Sequence, residues 1–197
     1  MLNPNKHLCG AGLAFQMVRA LLGRSKLPHA RRRQLVAFFL KPAAIATIAD
    51  VVSLTGENRI LVARGLSGMT NIASPGLAAL LGIAGIEWGE SPSAQEVAFR
   101  IAPRVNAAGR MSTAEHVIEL LLTDDPGRAG QLARKLDDLN GERQRTEREI
   151  MESILGSPEA VNTGRMALSS MPPTGIREFW ALSPAASPNT STGRFSC

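Results

Sequence analysis

The sequence has no tyrosine, two tryptophans and six phenylalanines, so aromatic residues are 4% of its 197 positions. A β-sandwich core leans on aromatic and β-branched side chains. This chain must pack with Leu, Ile, Val, Ala and Met instead, which favours helices. Cys9 and Cys197 are its two cysteines, at opposite ends and without a Cys-x-x-Cys pair. That argues against a disulfide framework or a thiolate zinc site and fits a reducing cytoplasm. His7, His29 and His116 are scattered and form no metal-ligand spacing. No apolar run reaches transmembrane length and no secretory signal is visible, so no membrane partner is expected.

Carboxylates are missing from one end. No Asp or Glu precedes Asp50, while Lys6, Arg19, Arg24, Lys26, Arg31, Arg32, Arg33 and Lys41 do, giving +8 over the first 49 residues. The remainder sums to −3 within an overall +5. A basic surface suits a polyanion such as nucleic acid, and a solvated helix face is the plainer alternative. An Arg-rich, acid-poor start also suits an organelle presequence. The Gly-Ala-Gly turn and Pro28 interrupt any single amphipathic helix there.

What is present reads as a series of helices. "HLCGAGLAFQMVRALLG" is a glycine turn opening a helix with Leu13, Met17 and Leu21 on one stripe and Ala14, Val18 and Leu22 beside it. A second helix starts after Pro28 and is expected to break near Pro42. "AAIATIA" then forms a short buried helix ending near Asp50, with a buried strand as the alternative. Thr55, Ser74 with Pro75, and Ser93 with Glu96 mark three further helix starts, the last with capping-box spacing. The Ser93 helix should end before Pro103, leaving "VNAAGR" as a loop or turn. "STAEHVIELLL" is another helix. Asp124 or Asp125, followed by Pro126, opens a long one reaching about Leu155, with Leu132, Leu136 and Leu139 on its apolar stripe. From Gly156 the chain turns rich in Ser, Pro, Thr and Gly, and reads as a low-complexity, disordered tail.

Three features are candidates for chemistry. Asp50 stands in an apolar stretch, "PAAIATIADVV". It reads as a helix cap, or as an oxygen ligand for a hard divalent cation. In "RVNAAGR", small residues would let a backbone approach a phosphate and Arg110 could fork onto its oxygens, the alternative being a turn with a surface arginine. Gly10-x-Gly12 opens a helix, a weak signal for an anion, and close packing or a tight turn is the favoured reading.

"HLCGAGLAFQMVRALL", "AAIATIADVVSLTGENRILVARGL", "PGLAALL", "EVAFRIAPRVNAAGRMSTAEHVIELLLTDD" and "ARKLDDLNGERQRTEREI" follow one another across about residues 3 to 152. In that order they resemble the RecJ family, single-stranded-DNA-specific exonucleases of the DHH phosphoesterase superfamily. The resemblance implies an α/β phosphoesterase fold, of which this chain would be a mostly α-helical internal part. It implies 5′-to-3′ removal of nucleotides from single-stranded DNA in repair and recombination, with two Mn2+ or Mg2+ ions. Asp50 matches the family's fourth-motif aspartate, a metal ligand, and Arg110 the arginine that grips the substrate phosphate. Asn106 and Gly109 shape that loop. Residues 1–125 would be the later, helical part of the phosphoesterase domain, 126–155 a connector helix and 156–197 the tail. The sequence has no DHH triplet and lacks the earlier spaced aspartates. The chain alone is therefore expected to be inactive. The competing reading is a non-catalytic helical module that binds single-stranded nucleic acid through its basic first 49 residues.

Overall fold

The structure is a computed structural model that describes residues 7–111 and 114–155; for residues 110, 111, 154 and 155 only the helical backbone is described. The tail expected from 156 onward lies outside the described residues. In order, the elements are α1 (Gly10–Arg24), α2 (His29–Ala49), α3 (Gly56–Ser67), a 3-10 turn (Gly68–Thr70), α4 (Pro75–Ile83), α5 (Ala94–Glu96), a π-helical turn (Val97–Ile101), α6 (Ala102–Met111), α7 (Glu115–Leu122) and α8 (Pro126–Leu155). No strand occurs among the described residues, as expected of a mostly helical chain. None of these helices is by itself long and apolar enough to cross a membrane. The chain divides into two units between Asn140 and Gly141. The first holds a core of small and aliphatic side chains: Ala44, Leu80, Ile101, Leu120, Leu132 and Leu136 are among its most deeply buried members. In the second, the described residues are the last part of α8, where Arg143 pairs with Glu147 at 3.2 Å.

Local signals set most helix starts. The Ser74 hydroxyl accepts from the Leu77 N–H and Pro75 occupies the first turn of α4. Ser93 and Glu96 form the reciprocal capping box. Asp125 opens α8 by accepting from the Gly127 N–H at 2.8 Å. A Ser93→Ala chain should lose about 1 kcal/mol, read from its melting curve. The Ser93 backbone N–H, the Ser93 hydroxyl and then Arg100 hold the Glu96 carboxyl below the ordinary carboxylate range. The lowered pKa fixes the sign of the linkage. Its stabilisation is complete above the ordinary carboxylate range and is lost as pH falls through the lowered value.

Two prolines do not break the chain where their sequence position suggests. α2 runs unbroken through Pro42. Pro42 has no N–H for the Phe38 carbonyl, yet Ala43, Ala44, Ile45 and Ile48 beyond it are all buried, and that packing holds the helix together. Gly65 of α3 makes the approach possible, since a Cβ there would collide with the Cβ of Ala44. "AAIATIA" is therefore the end of α2, not a separate helix or a strand. Pro103 likewise lies inside helical backbone. The turn before it is π-helical, with the Ala102 N–H reaching the Val97 carbonyl. A π-turn widens the helix by one residue per turn and relieves the ladder where proline offers no donor. The segment expected as a loop, 105–110, is consequently helical, because burial of Ala107 and Ala108 outweighs the low helix propensity of Asn106 and Gly109.

α1 divides its apolar residues. Gly12 and Phe15 are buried. Leu13, Met17 and Leu21 stand exposed. The adjoining Ala14 and Val18 line an open groove.

Candidate functional site

α2 ends at Asp50, whose backbone N–H bonds the Ala46 carbonyl at 2.9 Å. Val51 then turns the chain with φ 54°, a left-handed conformation that a β-branched residue rarely adopts. The Asp50 side chain is exposed, and among the described residues its carboxylate has no hydrogen-bond or ion-pair partner. An anion at a helix C-terminus faces the negative end of the helix dipole, so the fold gains nothing from its charge.

Beside it opens a groove of about 370 Å³ between α1, α2, α6 and α7. Phe15, Pro42, Val105 and Val117 are among its apolar walls, and Asp50 and Asn106 are its two polar lining residues. The fold thus brings together two candidates that lie far apart in sequence. Asn106 is half-buried and Gly109 exposed on α6. A Cβ at Gly109 would meet nothing within 4 Å, so the glycine is not required there by packing. Position 110 lies one turn beyond Asn106 on the same helix.

Arg104, a residue that sequence reasoning passed over, ties α6 to α8. Its Nε donates to the Asp137 carboxylate of α8 at 2.8 Å and its Nη1 to the Arg100 carbonyl at 2.5 Å. Only the arginine at the motif's start signals this, and charge in a motif does not distinguish clamp from ligand. At the mouth of α1, Cys9 serves as N-cap, its Sγ accepting from the Gly12 N–H at 3.3 Å. His116 lies against Lys135, 2.6 Å away, and Asp125 is a cap, so neither joins Asp50.

A hard cation such as Mg2+ needs about six oxygen ligands in near-octahedral order, several of them commonly water. The described residues hold no cluster of three or more His, Cys, Asp or Glu side chains able to bind a metal. Asp50 fits as one such ligand: an accessible oxygen donor, without a partner among the described residues, beside an open groove. It is not a complete site.

No model of a protein family matches the chain. Among curated proteins it is similar to the single-stranded-DNA-specific exonuclease RecJ of Bacillus subtilis, 39% identical over 142 residues, which is 72% of this chain and 17% of that protein. The Thermus thermophilus RecJ is 41% identical over 153 residues, 77% of this chain and 22% of that protein. The Escherichia coli RecJ is 34% identical over 171 residues, 84% and 30% respectively. The chain thus spans less than a third of the length of each of these relatives. Among solved structures, RecJ from Thermus thermophilus in complex with Mg2+ superposes with a TM-score of 0.68 at 39% identity, covering 80% of this chain and 24% of that one. An exonuclease RecJ bound to manganese superposes with a TM-score of 0.67 at 40% identity, covering 79% and 38%.

Proposed function

Since the chain belongs to the RecJ family, we propose that it carries part of the active site of a single-stranded-DNA-specific 5′-to-3′ exonuclease acting in DNA repair and recombination. The observation that supports this reading most is Asp50, a carboxylate that the fold does not use, beside Asn106 on one groove. In this reading Asp50 contributes one oxygen ligand to a pair of Mn2+ or Mg2+ ions. When bound, such ions activate a water and neutralise charge developing on the scissile phosphate. Arg110 binds the substrate phosphate, with its guanidinium suited to a bidentate contact. Asn106 orients groups at the groove, and Gly109 leaves the outer surface of α6 clear beside it. α8 acts as the connector towards the rest of the exonuclease, and the setting is the cytoplasm, where the buried Cys9 thiol stays reduced.

The chain by itself holds one of the carboxylates that two metals need. Incubated with labelled single-stranded DNA and Mn2+, it should release no nucleotides. Release that Asp50→Ala abolishes would overturn this.

A second reading rests on a separate observation. Arg19, Arg24, Lys26, Arg31 and Arg33 are exposed on or beside α1 and α2, and neither helix contains a carboxylate. Such a surface holds a DNA backbone without catalysis. Fluorescence anisotropy of a labelled oligonucleotide should then show affinity falling steeply and log-linearly with salt, unchanged or raised by Asp50→Ala. Affinity insensitive to salt would rule out this mode of binding.

A further inference from the structure

Asn58, in the stretch "GENR", is buried to 1% exposure although its side chain is a primary amide. Its Nδ2 donates two hydrogen bonds, to the His7 carbonyl at 2.8 Å and to the Ser53 carbonyl at 3.0 Å. The orientation of the amide is settled by its partners: both are carbonyl oxygens, which accept and cannot donate, so nitrogen must face them. Oδ1 is buried and takes no hydrogen bond among the described residues.

The two carbonyls belong to separate parts of the chain. Ser53 lies three residues beyond Asp50, in the loop from α2 to α3. His7 lies two residues before Cys9, the N-cap of α1. One amide therefore ties the loop that follows Asp50 to the entrance of α1, a helix that lines the groove. The loop needs such a tether. It leaves α2 through Val51 in the left-handed region, and Val51 is 80% exposed, so its own side chain anchors nothing.

We infer that Asn58 is a positioning residue, whose side-chain amide fixes the loop following Asp50 against the entry to α1 and so sets where the Asp50 carboxylate stands relative to the groove. The functional consequence rests on the reading of Asp50 as a metal ligand, whereas the tether itself does not. No other common side chain substitutes well. Aspartate keeps the shape but donates nothing, alanine removes both bonds, and glutamine is one methylene too long for a closed pocket.

Hydrogen exchange on the full chain without metal tests the tether. In Asn58→Ala, the hydrogen-bonded amides of Val51, Gly12 and Leu13 should exchange at least about tenfold faster, while those of Leu61, Leu66 and Leu80 keep their protection. Uniform acceleration across the core would make Asn58 an ordinary packing residue and overturn the inference, as would no acceleration at either segment. If that variant fails to fold, the unaltered chain suffices: the Asn58 side-chain amide protons should be protected in NMR exchange, and exchange at the free-amide rate would refute the tether. Mn2+ added to the same sample separates the two readings. Paramagnetic broadening centred on Asp50, which weakens or spreads in Asn58→Ala, supports both. Absence of broadening together with local acceleration in the variant would remove the metal reading and leave the tether standing.

Discussion

A Gly76→Ala chain should unfold roughly 10 °C below the parent, a loss of about 3 kcal/mol measured by thermal or urea denaturation. Gly76 lies in the first turn of α4, where that helix crosses α7. A methyl group built there would land on the carbonyl oxygen of Leu120, with the carbonyl carbon only 2.6 Å away. The obstruction is backbone, so no side chain can swing aside, and Leu120 is itself fully buried. The helices must separate, and the packing of Leu77, Leu80 and Leu81 in the core loosens with them. Gly82 supplies the control. It lies on the same helix with nothing within 4 Å of its missing Cβ. Gly82→Ala should be neutral or stabilising by up to about 1 kcal/mol, through helix propensity alone. Equal destabilisation by both substitutions would contradict this picture of the α4–α7 crossing.

The second large effect concerns Asp50, and here stability and function should part. The carboxylate is exposed, unpartnered among the described residues and placed at the C-terminal end of α2. Asp50→Asn keeps the shape and removes the charge opposed by the helix dipole. The chain should melt unchanged or gain a few tenths of a kcal/mol. If Asp50 is the metal ligand proposed above, the same change in a complete exonuclease should cost at least about a hundredfold in nucleotide release, since even outer partners of ligands cost ten- to a hundredfold. A residue that the fold would sooner be without, and that chemistry requires, is the pattern expected of an active-site group.

The helix starts were legible in sequence because their causes are local. Ser74 with Pro75, Ser93 with Glu96 and Asp125 with Pro126 each complete their hydrogen bonds within one turn. Pro42 and Pro103 misled for the opposite reason. Their cost is local, but what offsets it is the buried face of α2 in one case and a π-turn in the other, and neither is written in the neighbouring residues. The same holds for "VNAAGR", where turn-forming composition lost to the burial of two alanines. On α1 two apolar stripes competed, and only the packed fold shows that Phe15 goes inward while Leu13, Met17 and Leu21 stay outside. As for the site, the pattern around Asp50 favoured a cap or turn residue over a ligand. Resemblance alone favoured the ligand. The shared groove with Asn106 and the tether from Asn58 depend on contacts across tens of residues and leave no periodic trace.

The most direct test of the central claim is Mn2+-dependent nucleotide release from single-stranded DNA by a chimaera. In it, the matched stretch of Thermus thermophilus RecJ is replaced by about residues 3–152 of this chain. The chimaera should release nucleotides, and Asp50→Asn within it should cut the rate at least about a hundredfold with no fall in melting temperature. A folded chimaera as active with Asp50→Asn as without it would contradict the claim that this carboxylate belongs to the active site.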